Sequence, residues 1–192
     1  MTATAQQPAA SSASTAATGP WVVSFADVRD DDLGLVGGKG LSLGKVTQAG
    51  LNVPVGFCVT THAYRVFVDD VEAFADHRAA LDELAADNAP AIRQAASDMR
   101  EALLQTPLPE ALRAAVATFM STLPAGRAVA VRSSATLEDL PDASFAGQHD
   151  SYLEVRGVDD VLHRIQLCFA SLFTDRAVAY RRRQGLHEAD AA

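Results

Sequence analysis

Strand-like and helix-like apolar patterns alternate along this chain, and no segment repeats another. That alternation is the strongest constraint on what the chain can fold into. It argues for an α+β fold, α/β-like in its mixing of elements. Collagen, coiled coil and disulfide scaffold are excluded. The chain has 192 residues, 48% of them apolar and 21% charged, which is the composition of an ordinary globular protein. One domain of about 170 residues buries roughly 70% of its unfolded surface, so it holds a core without staples.

The pattern sets out the elements in order. Residues 21–25 read as a short strand, and 27–32 as a polar connection. A glycine-rich turn covers 34–40. A helix is predicted over 41–49, with Gly50 as its stop. A short buried strand is predicted over 56–59. Thr60 or Thr61 can cap the next helix, whose apolar face is Ala63, Tyr64, Phe67, Val68 and Val71. The acidic stretch 69–87 reads as a solvated helical surface. Helices are predicted over 90–104 and 109–123. Ala128-Val129-Ala130-Val131 is a continuous apolar run, read as a buried strand ending at Arg132. Residues 133–150 are polar and turn-rich, 152–155 alternate as a strand does, and 158–173 keep helical spacing. Thr174 or Asp175 caps a last helix through about Arg183.

Charge and cysteine content narrow the classes of function. The formal charge is −8, so a generic nucleic-acid binder is excluded: phosphate backbones need concentrated positive charge. No run of about 18 apolar residues is present to span a membrane. Residues 1–19 are read as a disordered leader without the basic start and apolar core of a signal peptide, and 187–192 as a tail. Cys58 and Cys168 each sit in an apolar stretch, which fits buried free thiols and a cytoplasmic protein. A bridge between them is the alternative, and it has no secretory context.

Several motifs fail on inspection. Gly38-Lys39 lacks the earlier glycine and the following hydroxyl of a P-loop, since Leu33 and Gly40 hold those positions. Gly40-Leu41-Ser42-Leu43-Gly44 matches a nucleophile elbow by letter alone, because no strand leads directly into it. The five histidines form no pair with metal-ligand spacing. The basic end of the last helix, Arg176, Arg181, Arg182 and Arg183, is explained by attraction to that helix's own C-terminus.

Two loops are left that can carry chemistry. Gly37-Gly38-Lys39-Gly40 lies at a predicted helix N-terminus, where exposed amides and a lysine favour an anion. A plain glycine-rich turn is its bland alternative. Arg132-Ser133-Ser134 follows a strand, where open α/β sheets bind ligands. The guanidinium can grip phosphate in bidentate fashion, and the two hydroxyls with adjacent amides can complete a cradle. A strand-ending arginine followed by turn serines is the alternative there.

These residues resemble a known family. Leu35-Val36-Gly37-Gly38-Lys39-Gly40, Pro54-Val55-Gly56-Phe57 and the long run from Val131-Arg132-Ser133-Ser134 through Phe145-Ala146-Gly147-Gln148 are similar to the N-terminal ATP-binding domain of the dikinases. That group includes phosphoenolpyruvate synthase, pyruvate phosphate dikinase and rifampicin phosphotransferase, and the resemblance covers roughly residues 21–185. It implies the N-terminal part of an ATP-grasp-like fold, over 20–186, that binds ATP with Mg2+. By the same resemblance Lys39 and Arg132 neutralise phosphate, and Gly147 with Gln148 belongs to a loop closing over the triphosphate. Ser151 keeps a hydroxyl where the dikinases carry threonine, and Ser133 joins the phosphate-binding set. The family's phosphoryl-accepting histidine lies on a separate swivelling domain, and a Gln-x-Arg element completes its nucleotide site. Neither is found in these 192 residues. The expected function is therefore the ATP-binding portion of a dikinase-type phosphotransferase. The alternative is a non-catalytic remnant, or a subunit whose ATP site a partner chain completes. Lys39-Gly40 and Phe57-Cys58-Val59-Thr60-Thr61 lean toward the rifampicin phosphotransferases.

Overall fold

A computed structural model of the chain describes residues 19–85, 88–134 and 151–187. The leader expected at 1–19 lies outside it except for Gly19, and Gly147 and Gln148 lie outside it entirely. The described chain runs β1 (Val22–Ser24), α1 (Leu33–Gln48), β2 (Phe57–Val59), α2 (Thr61–Asp69), α3 (Phe74–Glu83), α4 (Ala89–Gln105), α5 (Glu110–Ser121), β3 (Val129–Arg132), β4 (Ser151–Val155), α6 (Val158–Ser171) and α7 (Asp175–Arg183). Its strands form two separate antiparallel ribbons, β1 with β2 and β3 with β4. No parallel pairing occurs among the described residues, so the mixture is α+β and not a doubly wound sheet.

Helix α2 forms where the sequence places it. Thr60 is extended and its Oγ1 accepts from the Ala63 amide at 3.2 Å, while donating to the Pro20 carbonyl at 2.5 Å. Ala63, Tyr64, Phe67 and Val68 then turn inward, and Tyr64 and Phe67 meet Phe169 of α6 at ring distances of 5.2 and 5.6 Å. The main core gathers such residues from α2 through α7, with Phe67, Phe173, Leu81, Met99, Leu103 and Leu112 its largest fully buried side chains. In α3 only Phe74 and Leu81 face it, and Asp76, Asp82 and Glu83 stay in water, as the acidic stretch predicts.

Helix ends leave carbonyls without intrahelical partners. Here three C-termini are closed by side chains from other helices. Gln166 Nε2 donates to Leu103, Leu104 and Thr106 at the end of α4. Arg181, buried in α7, donates to Leu172 at the end of α6 at 2.6 Å. Arg182 donates to Leu84 at 2.7 Å and to Leu81, at the end of α3. Arg181 and Arg182 thus serve the C-termini of α6 and α3, where the sequence pointed to the end of their own helix.

Two expectations are corrected. The helix predicted over 41–49 begins at Leu33, and the glycine-rich segment belongs to it. Asp32 starts it by accepting the Leu35 and Val36 amides on its carbonyl at 2.9 and 3.0 Å. The strand predicted as buried, β3, is half-buried, with Ala130 and Arg132 exposed. It sits in a two-stranded ribbon with α6 packed against it, so one side of the strand faces water. Gly50 does stop α1, at φ +74. Both cysteines are buried and unbridged. Among the described residues no helix is long and apolar enough to cross a membrane.

Candidate functional site

Helix α1 is not continuous. Gly37 has φ 71 and ψ 171, which breaks the helix and starts a new one at Gly38. The left-handed φ favours glycine on its own. A second demand is stricter: a Cβ on Gly37 would lie 2.1 Å from the Ser134 carbonyl oxygen and 2.6 Å from its Oγ. The backbone that follows β3 therefore runs directly against the break. Ser134 Oγ accepts from the Gly40 amide at 3.1 Å and donates to the Val36 carbonyl at 3.1 Å. One hydroxyl holds both sides of the break, and it comes from more than ninety residues away.

The far side of the same loop is also fixed. A Cβ on Gly40 would sit 2.7 Å from Cys58 Sγ, so β2 and α1 touch through a glycine. Val28, Val36 and Cys58 form a small second core there. Burial pushes the Cys58 thiol up from 9.0 to about 11, so it stays neutral and unreactive at physiological pH. Thr61 Oγ1 donates to the Gly34 carbonyl at 2.9 Å and ties α2 to the start of α1.

The second loop meets the first at Ser134. Arg132 ends β3 and pairs directly with Ser151, the first residue of β4. Directly opposed residues of an antiparallel pair bring their side chains to within roughly 5 Å. Arg132 and Ser151 are both exposed, and Lys39 is half-buried in the first turn after the break. Ser133 Oγ is buried and has no hydrogen-bond partner among the described residues. A hydroxyl in that position is costly unless something accepts or donates to it.

The contacts of Ser134 thus bring the helix break beside Lys39 to the end of the β3–β4 ribbon at which Arg132, Ser133 and Ser151 lie. The reason differs from the expected one. Arg132 ends a strand of an antiparallel ribbon, not of an open parallel sheet, and Ser134 draws the helix break to it. Ser134 was foreseen as half of a hydroxyl cradle. The structure divides the pair: Ser134 is spent on the loop, and Ser133 keeps the unpartnered hydroxyl. Ser42 lies within α1, away from any strand-to-helix elbow. No group of three or more metal-ligating side chains occurs among the described residues.

Chemically, the arrangement suits an anion. Amides after a helix break carry a partial positive charge, and Lys39 and Arg132 supply two full ones within a chain of net charge −8. Residues 33–192 match the family model described as pyruvate phosphate dikinase, AMP/ATP-binding domain. A rifampicin phosphotransferase from Streptomyces is 44% identical over 170 residues, covering 88% of this chain and 20% of the relative. The rifampicin phosphotransferase of Bacillus subtilis is 42% identical over 85% of this chain and 19% of its own. A probable phosphoenolpyruvate synthase from Methanocaldococcus jannaschii is 42% identical over 83% of this chain and 14% of its own. The chain spans about one fifth or less of the length of these relatives.

Proposed function

Because this chain belongs to the pyruvate phosphate dikinase AMP/ATP-binding domain family, we propose that it holds the phosphates of ATP between the helix break at Gly37–Gly40 and the Arg132–Ser133–Ser151 end of the β3–β4 ribbon. The observation that carries this reading is the Ser134 bridge, which joins the two loops at 3.1 Å on either side of the break. Lys39 and Arg132 neutralise phosphate charge, the amides after Gly37 add donors, and Ser133 Oγ finds its partner in a phosphate oxygen. Gly147 and Gln148 close over the triphosphate in the same reading.

The fold is read as the N-terminal part of an ATP-grasp-like domain, spanning 20–186. A helix-braced antiparallel ribbon ending at a glycine loop supports it. Mg2+ enters with the nucleotide, bound through phosphate oxygens and water. Free buried thiols fit a reducing, cytoplasmic setting.

In a dikinase-type phosphotransferase the phosphoryl group passes to a histidine on a swivelling domain and then to an acceptor. We propose that this chain supplies the nucleotide-holding step of such a sequence. Little covalent chemistry then falls to it, and alignment and charge neutralisation are its contribution. The histidine, the Gln-x-Arg element and the acceptor site come from outside these 192 residues, through further chain or a partner. A rifamycin or pyruvate acceptor fits, since relatives carry both rifampicin phosphotransferase and phosphoenolpyruvate synthase names.

The test is an ATP titration followed by amide chemical shifts. Gly38, Lys39, Gly40, Arg132, Ser133 and Ser151 should move together and saturate. Shifts confined to other parts of the chain would place the nucleotide elsewhere.

A further inference from the structure

We infer that Ser134 is a positioning residue that couples the two phosphate-holding loops, acting as the N-cap of the second half of α1 from the distant segment that follows β3. An ordinary N-cap lies next to its helix, and its side-chain oxygen accepts from the second or third amide of the first turn. At the break in α1 the residue in that place is Gly37, which has no side chain. Counting Gly37 as the cap, Gly40 is the third residue, and its amide is the one that Ser134 Oγ takes up at 3.1 Å. The same oxygen donates its proton to Val36 O at 3.1 Å, on the other side of the break.

Two features converge on this one side chain. Gly37 carries a backbone that only glycine tolerates easily, and its missing Cβ is what lets Ser134 approach. Ser134 satisfies a donor and an acceptor that the break leaves over. Its neighbour Ser133 keeps a buried hydroxyl with no partner among the described residues. Lys39 sits between the broken bond at Gly37 and the clamped amide at Gly40, so its backbone position depends on the clamp. Arg132, the last residue of β3, lies two residues before Ser134. The spacing between Lys39 and Arg132 is thus set through Ser134.

This inference rests on the proposed ATP site, and its test separates the two. Calorimetric ATP titrations are run on the unsubstituted 192-residue chain, Lys39→Ala, Ser134→Ala and the double variant, and hydrogen exchange at the Gly40 amide is followed without nucleotide. Ser134→Ala should speed Gly40 exchange and weaken ATP binding about five- to tenfold. The losses from Ser134→Ala and Lys39→Ala should be less than additive, because Lys39 without its clamp is already misplaced. A serine with a merely structural role would lower stability and add independently. Additive losses, or unchanged ATP affinity in Ser134→Ala, overturn the coupling. Equal Gly40 exchange in both chains overturns the clamp. An unsubstituted chain that binds no ATP, while Gly40 exchange still depends on Ser134, overturns the nucleotide site and leaves the clamp standing. Should Ser134→Ala not fold, Gly40 in the unsubstituted chain decides: a protected amide supports the clamp, and exchange at the free-amide rate overturns it.

Discussion

Gly37 is the residue on which the site depends most. Replacing it by alanine forces a left-handed residue and drives a Cβ to 2.1 Å from the Ser134 backbone oxygen. A left-handed non-glycine residue alone costs about 1–2 kcal/mol, and a clash against backbone is not relieved by rotation. Gly37→Ala should therefore lower unfolding stability by more than about 2 kcal/mol, read as a reduced midpoint in urea. Gly50 offers the contrast: it too has positive φ, but nothing stands within 4 Å of its Cβ position, so Gly50→Ala should cost less. Cys58 gives a pH signature. Its folded thiol is raised from 9.0 to about 11, so the folded state keeps a proton that the unfolded chain releases. Its contribution is fully present below about pH 9 and is lost as pH climbs toward 11. Urea unfolding across that range should show stability falling, and Cys58→Ala should flatten the fall. Which of the two adjacent glycines would carry the break was not legible in the sequence. Gly37 and Gly38 read alike until the backbone of Ser134 is brought against one of them.

At the scale of elements, local patterns told most of the story. Thr60 and Thr174 cap their helices as the residue types predict, each accepting an amide three residues on. Thr60→Ala should cost about 0.5–2 kcal/mol by chemical denaturation. The start of α1 was illegible for a physical reason. Glycines carry low helix propensity, so 34–40 reads as a turn, yet packing against Cys58 and Val28 requires small residues at Gly40 and Gly44. The tertiary contact overrides the propensity. Strand β3 misleads in the opposite sense: four apolar residues in a row promise burial on both faces, and the ribbon it joins is covered by α6 on one side only. The arginines of α7 read as serving the end of their own helix, whereas Arg181 closes α6, 9 residues back, and Arg182 closes α3, 98 residues back. Periodicity carries no information about such pairs.

For the whole molecule, the charge of −8 and the proposed ATP site are compatible because two cations are placed where two loops meet. The family motifs made Lys39, Arg132, Ser133 and Ser151 legible as candidates. Only the fold reveals that Ser134 ties the segment after β3 to the helix break beside Lys39. Length matters as well: the chain spans about a fifth of its phosphotransferase relatives, and the function proposed above assigns transfer to groups outside it. Incubation with ATP labelled at the β-phosphate should leave no phosphohistidine on the 192-residue chain, and a labelled histidine would refute that division of labour. The central claim, that ATP phosphates lie between the glycine break and the end of the β3–β4 ribbon, is tested most directly by calorimetric ATP titration of the unsubstituted chain beside Arg132→Ala. Saturable binding that weakens by about 1.5–3 kcal/mol on losing the guanidinium is the expected result. No binding at millimolar ATP, or equal affinity in both chains, would contradict it.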